Sequence, residues 1–316
     1  MTTALAEAPT EPVAPPSGST LAAKTICLVL RGGSFGNARS CNLAAVTVDS
    51  DKTLLRMTKT LLDSKELHDV ARLDSHVSAY LRSVAFPSMF KSGIHLIPVA
   101  LVEVAIEKLE EFAERRKALV DLACAAYPQR IIETSARLGV MHQPDDYPSP
   151  ERFRASFIFE YELVTFETPT RLKAISAELF EKERQKAQIK LSAVATECQQ
   201  AMRAGLSKLV DHLVERLTPD PITGKPKRFS KAVVGNLNDF LAMFELRDVT
   251  DDAELGALVK KARSVMAGVD PKLLGSDELV RQTITTEFAA LKTALDPLVL
   301  EKGNRVITFE AEDEGV

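Results

Sequence analysis

One uninterrupted stretch of the chain most limits how it can fold. From Arg171 to Leu217 there is no proline, and the only glycine is Gly205. As one helix, this stretch would be about 65–70 Å long, at roughly 1.5 Å per residue. Its second half places apolar side chains at helical spacing, whereas residues 181–188 are charged and weakly amphipathic. The pattern predicts either a single projecting, coiled-coil-like helix or two helices bent near Lys186.

The overall composition is that of an ordinary folded protein. Of the 316 residues, 45% are apolar and 27% are charged, and the net charge is −4 at pH 7. This balance predicts a buried core and excludes a surface that is basic throughout, although it allows a local basic patch. No run reaches the roughly 20 apolar residues of a membrane helix, and the first residues lack the pattern of a signal peptide. We therefore expect a cytoplasmic protein that does not enter a membrane.

The cysteines are widely spaced and form no C-x-x-C pair. The four positions are Cys27, Cys41, Cys124 and Cys198. Each lies in an apolar or helical context, where a free thiol packs like a small apolar side chain. The spacing predicts reduced thiols, as is normal in the cytosol.

The N-terminal part is predicted to contain both strands and helices. Residues 1–22 carry four prolines and little apolar bulk, which predicts a disordered leader. Short β-branched runs at 25–30 and 44–48 predict a small hairpin. Apolar residues at helical spacing then predict one helix around 54–62 and a second across 67–84.

A long helix is predicted to begin near Pro98. The charged run at 110–117 is assigned to its solvent-facing side, because opposite charges three and four residues apart support a helix. Beyond a break at 144–148, Ser149 and Pro150 are suited to start a new helix. The aromatic, alternating segment 157–166 predicts a strand. The expected core residues of the long helix are Leu101, Ile106, Leu109, Phe112, Leu119 and Leu122.

The last third of the chain is predicted to be helical. A turn cluster at 219–224 precedes helices at 230–246, 251–267 and 277 to about 302. The remaining residues, 304–316, are rich in Asp and Glu and predict a solvated acidic tail.

The expected fold class is mainly α with a minor β element (α+β), built around a long central helix. An α+β part is expected at 23–165, and a helical part at 166–303. The leader and the acidic tail would flank these two parts.

No pattern of residues predicts an active site. The glycine loop Arg31–Gly36 lacks the lysine and hydroxyl residue of a phosphate-binding loop, and a strand is expected after it instead of a helix. His142 and His212 have carboxylates nearby but no second ligand at metal-binding spacing. We therefore expect no enzyme activity, no cofactor and no bound metal.

One cluster of cations is dense enough to suggest contact with nucleic acid. It comprises Lys225, Lys227, Arg228 and Lys231, and Phe229 lies among them. Cations that bind phosphate and aromatics that stack on bases are typical of nucleic-acid-binding surfaces. The alternative is a solvated hinge, and with 6% aromatic residues the chain is not suited to an extended stacking platform.

The long helix itself is the other candidate site. Its apolar face could form a seam with a second copy or with another protein, or it could pack inside the same chain. The candidate seam residues are Ile189, Val194, Met202, Leu206 and Leu209.

Several segments resemble segments of a known group of proteins. They are Asp146–Arg154 with 157–162, Ala85–Pro87 with Gly93–Pro98, Leu209–Leu217, and Phe229–Asp252. Together these segments span most of residues 75–265, and they resemble a family of uncharacterised proteins of tailed bacteriophages and prophages. The family often carries a tryptophan and a basic run after its first strand, and residues 33–51 have neither in that form. The resemblance implies a phage setting, in the cytoplasm of a bacterial host, and no particular activity.

The leading functional hypothesis is a non-enzymatic interaction or assembly protein of phage type, acting through its long amphipathic helix. It would associate with itself or with another protein. The alternative is a nucleic-acid-binding accessory factor of phage replication or recombination that uses the basic loop 225–231. An enzyme whose site is assembled from distant residues is a third hypothesis.

Overall fold

The computed structural model describes residues 16–41, 49–51, 54–86, 93–165, 167–219, 231–270, 274 and 277–299. Helices account for most of these residues, and the strands are few and short. The predicted class, mainly α with a minor β element, is confirmed.

The chain forms two compact units. The N-terminal unit is Ile26–Thr165, and the C-terminal unit combines Met1–Thr25 with Phe166–Val316. A short helix, α1 (Gly18–Lys24), belongs to the C-terminal unit although it precedes the N-terminal unit in sequence. The expected leader of residues 1–22 therefore overlaps a helix. The reason is that Leu21 is fully buried, which gives this segment packing that its composition does not predict.

The N-terminal unit mixes short strands with two substantial helices. Its β1 is the middle strand of a three-stranded sheet ordered β4-β1-β5, and β2 pairs with β3 in a separate antiparallel ribbon. Strands β1 and β5 are antiparallel, with Cys27 opposite Val164 and Gly32 opposite Phe159. In chain order the elements are β1 (Thr25–Gly32), β2 (Ala38–Cys41), β3 (Met57–Thr60), α2 (Lys65–Val84), β4 (Ile94–Pro98), α3 (Val102–Leu138), α4 (Pro150–Ala155) and β5 (Phe159–Val164).

Two strand predictions have different outcomes. The segment predicted at 157–166 is confirmed as β5, with shorter bounds. The predicted strand at 44–48 lies outside the described residues, so the hairpin expected from it stays a prediction. The first strand has β4 and β5 as its neighbours instead.

The helix predicted around 54–62 is wrong. Residues 57–60 form strand β3, and the two leucines that follow are buried in the core of the unit. The Asn37 side chain donates to the Leu62 carbonyl at 2.6 Å and accepts from the Leu62 N–H at 2.7 Å, while the Leu61 N–H donates to the Asn37 carbonyl at 2.9 Å. These bonds satisfy the backbone N–H and C=O groups without a helix. The apolar residues at helical spacing are therefore buried by a strand and the loop after it, and not by a helix.

Those two leucines belong to the aromatic core of the N-terminal unit. Tyr127 and Phe153 stack with ring centroids 3.9 Å apart, and Phe35 meets both rings edge-on. The Tyr127 hydroxyl donates to the Pro148 carbonyl at 2.8 Å, so its polar end is satisfied. This cluster joins α3 to α4 and to the loop after β1.

Helix α3 is present, but the prediction placed two of its residues on the wrong side. Arg116, expected in solvent, is 3% exposed, and Leu122, expected in the core, is 60% exposed. The helix has apolar residues on two faces, and the buried face passes through Ala105, Val120 and Tyr127. Leu101, Leu109 and Phe112 are buried as expected.

The C-terminal unit is entirely helical in the residues described. After α1 its elements are α5 (Leu172–Ile175), α6 (Ala177–Leu217), α7 (Lys231–Arg247), α8 (Ala253–Met266) and α9 (Glu278–Leu295). The long stretch is one continuous helix of 41 residues preceded by a short separate one, so the form bent near Lys186 is wrong. Helix α9 ends well before residue 302, because Pro297 cannot continue it and a 3₁₀ turn follows.

Candidate functional site

The two halves of helix α6 have different environments. Residues 177–193 include no buried residue, whereas 194–217 hold all the buried residues of the helix. At roughly 1.5 Å per residue, the exposed half is about 25 Å long. In proteins, helices gain most of their stability by packing one face, and here the second half provides that face. The exposed half is therefore an extension of a helix that is anchored elsewhere.

The predicted seam residues fall on both halves. Val194, Met202 and Leu206 are at most 4% exposed, Leu209 is partly buried, and Ile189 is 73% exposed. The three buried residues pack within the chain itself, which is the second alternative that the sequence left open. Of the five, Ile189 is the one whose side chain lies in solvent.

Local interactions hold the exposed half of α6 in a helical form. The Ser176 hydroxyl accepts from the Leu179 N–H at 3.1 Å and caps the first turn. Arg184 donates to both oxygens of Glu181, at 2.7 and 2.9 Å, and Lys186 pairs with Glu183 at 2.6 Å. The hydrogen bond from Arg184 lowers the pKa of Glu181. Pairs three residues apart add a few tenths of a kcal/mol each.

Apolar side chains are also exposed on this segment and on α5 just before it. Leu179 and Ile189 on α6 are 39% and 73% exposed, and Ile175 on α5 is 76% exposed. The Lys173 ammonium lies 4.6 Å from the centre of the Phe180 ring. Apolar groups among charged ones give a mixed surface, which is the usual composition of the rim and core of a non-obligate interface.

The buried half of α6 carries an ion-pair network that the sequence pattern did not reveal. Arg203 donates to both oxygens of Asp252, at 2.6 and 2.8 Å, and to Glu254 at 2.8 Å. Asp252 also accepts from the Leu255 N–H at 3.1 Å, so it caps α8 as well. The hydrogen bonds that Arg203 donates to Asp252 raise the pKa of Arg203. In the sequence, the only sign of this network is that Arg203 lies among apolar residues at helical spacing. Its partner Asp252 is brought to it by the fold.

The N-terminal unit has a comparable feature at Arg116. Its guanidinium donates to both oxygens of Asp74, at 2.7 and 3.2 Å, and to the Gly33 carbonyl at 2.7 Å. The guanidinium also lies 5.6 Å from the Phe159 ring centre. Arg116 therefore links α3 to α2, to the loop after β1 and to β5.

The predicted nucleic-acid contact lies almost entirely outside the described residues. Lys225, Lys227 and Arg228 fall there, and Lys231 begins α7 but its side chain is not described. The basic loop 225–231 therefore stays a prediction from the sequence.

The thiols with shifted pKa values are weak nucleophiles. Burial raises the pKa of Cys27 to about 11 and that of Cys198 to about 12. Burial also raises the pKa of Cys124. Because the thiolate is the reactive form, these three side chains are poorly suited to covalent chemistry near neutral pH.

The two histidines considered as metal ligands do not belong to a group of metal-ligating side chains in the described residues. His212 is exposed, and the His142 ring stacks on Tyr147 with centroids 5.1 Å apart. Asp146, beside His142, pairs with the buried Lys59 at 2.5 Å. Within the described residues, no group of three or more His, Cys, Asp or Glu side chains could hold a metal ion.

None of the helices in the described part of the chain combines the length and apolarity needed to cross a bilayer. Comparison with protein-family models, with curated proteins and with solved structures gave no match for this chain. The resemblance to phage and prophage proteins therefore stays a prediction.

Proposed function

We propose that this chain is a non-enzymatic interaction protein that binds another protein through the exposed half of α6, residues 177–193. The supporting observation is that about 25 Å of capped helix extends beyond the buried part of α6 with no buried residue. An isolated helix of this length is marginal in water, so its formation here depends on the anchored second half. A pre-formed helix loses little entropy on binding, which favours affinity.

The charge order along this segment defines the kind of partner that fits. Acidic residues predominate first, at Glu178, Glu181 and Glu183 with Lys182 among them, and the basic residues Arg184, Lys186 and Lys190 follow. A partner surface of opposite order, basic and then acidic, would complement it and orient the encounter. An antiparallel helix with the same acidic-to-basic order meets that requirement. In the phage setting that the family resemblance implies, the partner would be a component of a phage assembly in the host cytoplasm.

Photo-crosslinking from single positions tests this proposal. A photoreactive amino acid would replace Ile189 in one variant and Leu279 in the other. These positions are closely matched, at 73% and 76% exposed, and Leu279 lies on α9. We expect irradiation in the native host to give a discrete adduct from position 189 and none from position 279. The adduct would be identified by mass spectrometry.

Charge reversal adds a second, independent measurement. Replacing Glu181 and Glu183 with Lys should abolish the adduct from position 189, because the acidic end of the segment would repel its partner. Because Glu181 and Glu183 also pair with Arg184 and Lys186 within the helix, far-UV circular dichroism is used to check that the anchored helix keeps its helical content in this variant. An equal yield of adduct from positions 189 and 279, or an adduct that survives charge reversal, would overturn the proposal.

The nucleic-acid alternative makes a separate prediction. Protein purified at low salt would carry nucleic acid, detected by its absorbance ratio, and binding would weaken steeply with salt. Replacing Lys225, Lys227, Arg228 and Lys231 together with Ala should then reduce binding. Equal binding by this variant would remove the alternative without affecting the proposal for α6.

A further inference from the structure

Strand β5 is an edge of the three-stranded sheet, and one side of its backbone has no partner strand. On the other side it pairs with β1 in an unbroken antiparallel register, which continues to Gly33 and Ile158. The N–H groups of Gly33 and Ile158 donate to each other's carbonyls, at 2.8 and 3.1 Å. Because bonded positions alternate in an antiparallel pair, every second residue from Ile158 onward bonds to β1. The residues whose N–H and C=O groups point away from β1 are Phe159, Tyr161 and Leu163.

These outward backbone groups are accessible and unused. Among the described residues, none of them makes a hydrogen bond within the chain, and no residue of β5 is buried. The opposite edge of the sheet differs, because the Phe86 N–H donates to the Leu96 carbonyl of β4 at 2.8 Å. A row of free N–H and C=O groups is a template on which another strand can pair. The free edge of β5 is therefore suited to an extended peptide that adds to the sheet.

The charges around β5 indicate which kind of strand fits this edge. From residue 157 to residue 170 the chain contains three glutamates and neither Lys nor Arg. Two of these glutamates, Glu160 and Glu162, lie within β5 and project from the same face of the sheet. Glu160 pairs with Arg31 of β1 at 3.4 Å, whereas Glu162 forms no ion pair among the described residues. The strand thus presents a net negative charge.

Helix α3 adds acidic groups on the other face of the strand. The Tyr161 hydroxyl donates to the Glu110 carboxylate of α3 at 3.3 Å. The Arg116 guanidinium, which also approaches β5, is already paired with Asp74. Within the described part of the chain, Glu110 and the three glutamates aligned with it form no ion pair with a Lys or Arg. Those three exposed residues, spaced three and four apart along one side of α3, are Glu103, Glu107 and Glu114.

A second copy of β5 is poorly suited to this edge. Pairing two β5 strands antiparallel about Tyr161 sets Glu160 of each copy opposite Glu162 of the other, and like charges directly opposite destabilise a sheet. A strand with Lys or Arg at every second position has the opposite effect, because its cations lie opposite these glutamates.

We propose that the free edge of β5 binds an extended basic segment of another protein, which adds to the sheet beside β5. Backbone hydrogen bonds supply the affinity, and the alternate cations supply the selectivity. This inference does not depend on the function proposed for α6, because it concerns a strand of the other unit.

A short synthetic peptide of alternating Lys and Val, carrying a fluorescent label, tests the proposal. Its binding to the full chain is followed by fluorescence anisotropy. We expect saturable binding, and none by a peptide of the same length with Glu in place of Lys, because the edge repels anions.

Two N-methylated forms of the Lys–Val peptide separate strand pairing from simple charge attraction. Both forms keep the charge of the parent peptide, but each lacks the N–H groups of one alternate set of residues. Only alternate N–H groups of a strand point to one neighbour, so methylation of one set should abolish binding and methylation of the other should not. No binding by the parent peptide, or equal binding by the two methylated forms, would overturn the proposal.

Substitutions in the chain locate the binding site. Glu160→Lys with Glu162→Lys should weaken binding by about tenfold or more, because two favourable cross-strand pairs become repulsive. Glu197→Lys with Asp239→Lys, at exposed sites in the C-terminal unit, makes the same change in net charge and should leave binding unchanged. Leu163→Pro removes one outward N–H and no bond to β1, so binding should fall while far-UV circular dichroism stays the same. Wild-type affinity in both E160K/E162K and L163P would contradict binding at this edge.

Discussion

The two long helices, α3 and α6, use their length in different ways. Helix α3 buries one face at intervals along its whole length and leaves a second apolar face in solvent. Helix α6 has all its buried residues in its second half, and its first half has none. On α3, therefore, buried and exposed residues lie on opposite faces along the whole helix. On α6 they lie in different halves of the helix. Each division leaves a different kind of surface for a partner.

This comparison shows what an apolar period in a sequence does and does not reveal. The period predicts which side chains share a face; on α6 it grouped Val194, Met202 and Leu206 correctly, whereas on α3 it assigned Leu122 to the buried face wrongly. It does not identify which face finds a neighbour within the chain. On α6 the apolar face is the core, whereas on α3 one of two apolar faces is the core and the other is free.

The buried arginines of these helices extend the comparison. Arg203 on α6 pairs with Asp252, whose side chain is 2% exposed, whereas Arg116 on α3 pairs with Asp74, whose side chain is 35% exposed. Water can therefore reach the partner of Arg116 but not the partner of Arg203. The consequences of losing each arginine should differ accordingly.

The largest expected difference is between a charge placed in the buried half of α6 and one placed in its exposed half. Leu206→Asp places a carboxylate at a fully buried site, and we expect it to cost more than about 4 kcal/mol and unfold the C-terminal unit. Ile189→Asp, on the exposed half, should change stability by less than about 0.5 kcal/mol. Urea unfolding followed by circular dichroism measures both. Similar losses in the two variants would contradict the division of α6 into a buried and an exposed half.

Loss of the buried arginines should have the next largest effect. Arg203→Met leaves the Asp252 carboxylate buried without its cation, at a cost of about 3–5 kcal/mol. Arg116→Met should cost less, about 1–3 kcal/mol, because Asp74 can be hydrated while the Gly33 carbonyl loses its donor. The comparison uses the urea midpoint of the unit that carries each substitution. An equal or larger loss for R116M would show that exposure of the partner does not set the cost.

The next comparison is between two carboxylates, Glu66 on α2 and Glu181 on the exposed half of α6. Their contributions to the pH dependence of stability should differ by a smaller amount. Arg130 donates to both oxygens of Glu66, at 2.8 and 3.2 Å, and lowers the pKa of Glu66. This lowered pKa gives stability that is present above the unfolded-state value, near 4.3, and is lost as pH falls through the folded-state value. We expect Glu66→Gln to cost less than about 1 kcal/mol at pH 7 and nothing at strongly acidic pH.

The matched substitution on the exposed segment is Glu181→Gln. Its partner Arg184 lies on the same helix turn, so we expect the unfolding midpoint of this variant to match that of the wild type at both neutral and acidic pH. Thermal melts of both variants over this pH range make the test. A pH-dependent loss in E181Q as large as that in E66Q would contradict the distinction.

The smallest expected effect is on the denaturant concentration at which the thiol of each unit becomes reactive. Cys27 lies in the N-terminal unit and Cys198 in the C-terminal unit, and burial raises the pKa of each, to about 11 and about 12. Each thiol should stay unlabelled at pH 8 until its own unit unfolds and its pKa returns to the ordinary value. Pulsed labelling in urea, with peptide mapping, then reports the two units separately. Rapid labelling of Cys198 in the native protein would contradict its burial.

Part of the fold was predictable from local patterns. Ser64, Ser149 and Ser176 cap the starts of helices, as their residue type favours, and the aromatic alternation at 157–166 marked a strand. The error around Leu61 and Leu62 came from a side chain distant in sequence, since Asn37 supplies the hydrogen bonds that a helix would have made. No local pattern contains that contact.

The candidate site was predictable to a smaller extent. The long helical stretch follows from the absence of proline, whereas its continuity past Lys186 was left open by the sequence and is shown by the structure. The exposure of Ile189 and the burial of Val194, five residues later, do not follow, because both are apolar residues on one helix. The exposure of Leu122 on α3 was missed for a related reason: Leu122 was predicted in the core because apolar residues at helical spacing are usually buried.

The sequence by itself determined the helical class, the long proline-free helical stretch and helix-capping residues such as Ser149, because these depend on interactions between residues close together in the chain. The tertiary structure alone decided which faces are buried, which strands pair, and which partner each buried arginine has. These depend on contacts between residues far apart in the chain, such as Arg203 with Asp252 and Arg116 with Asp74. The surfaces proposed for binding are what those contacts leave uncovered.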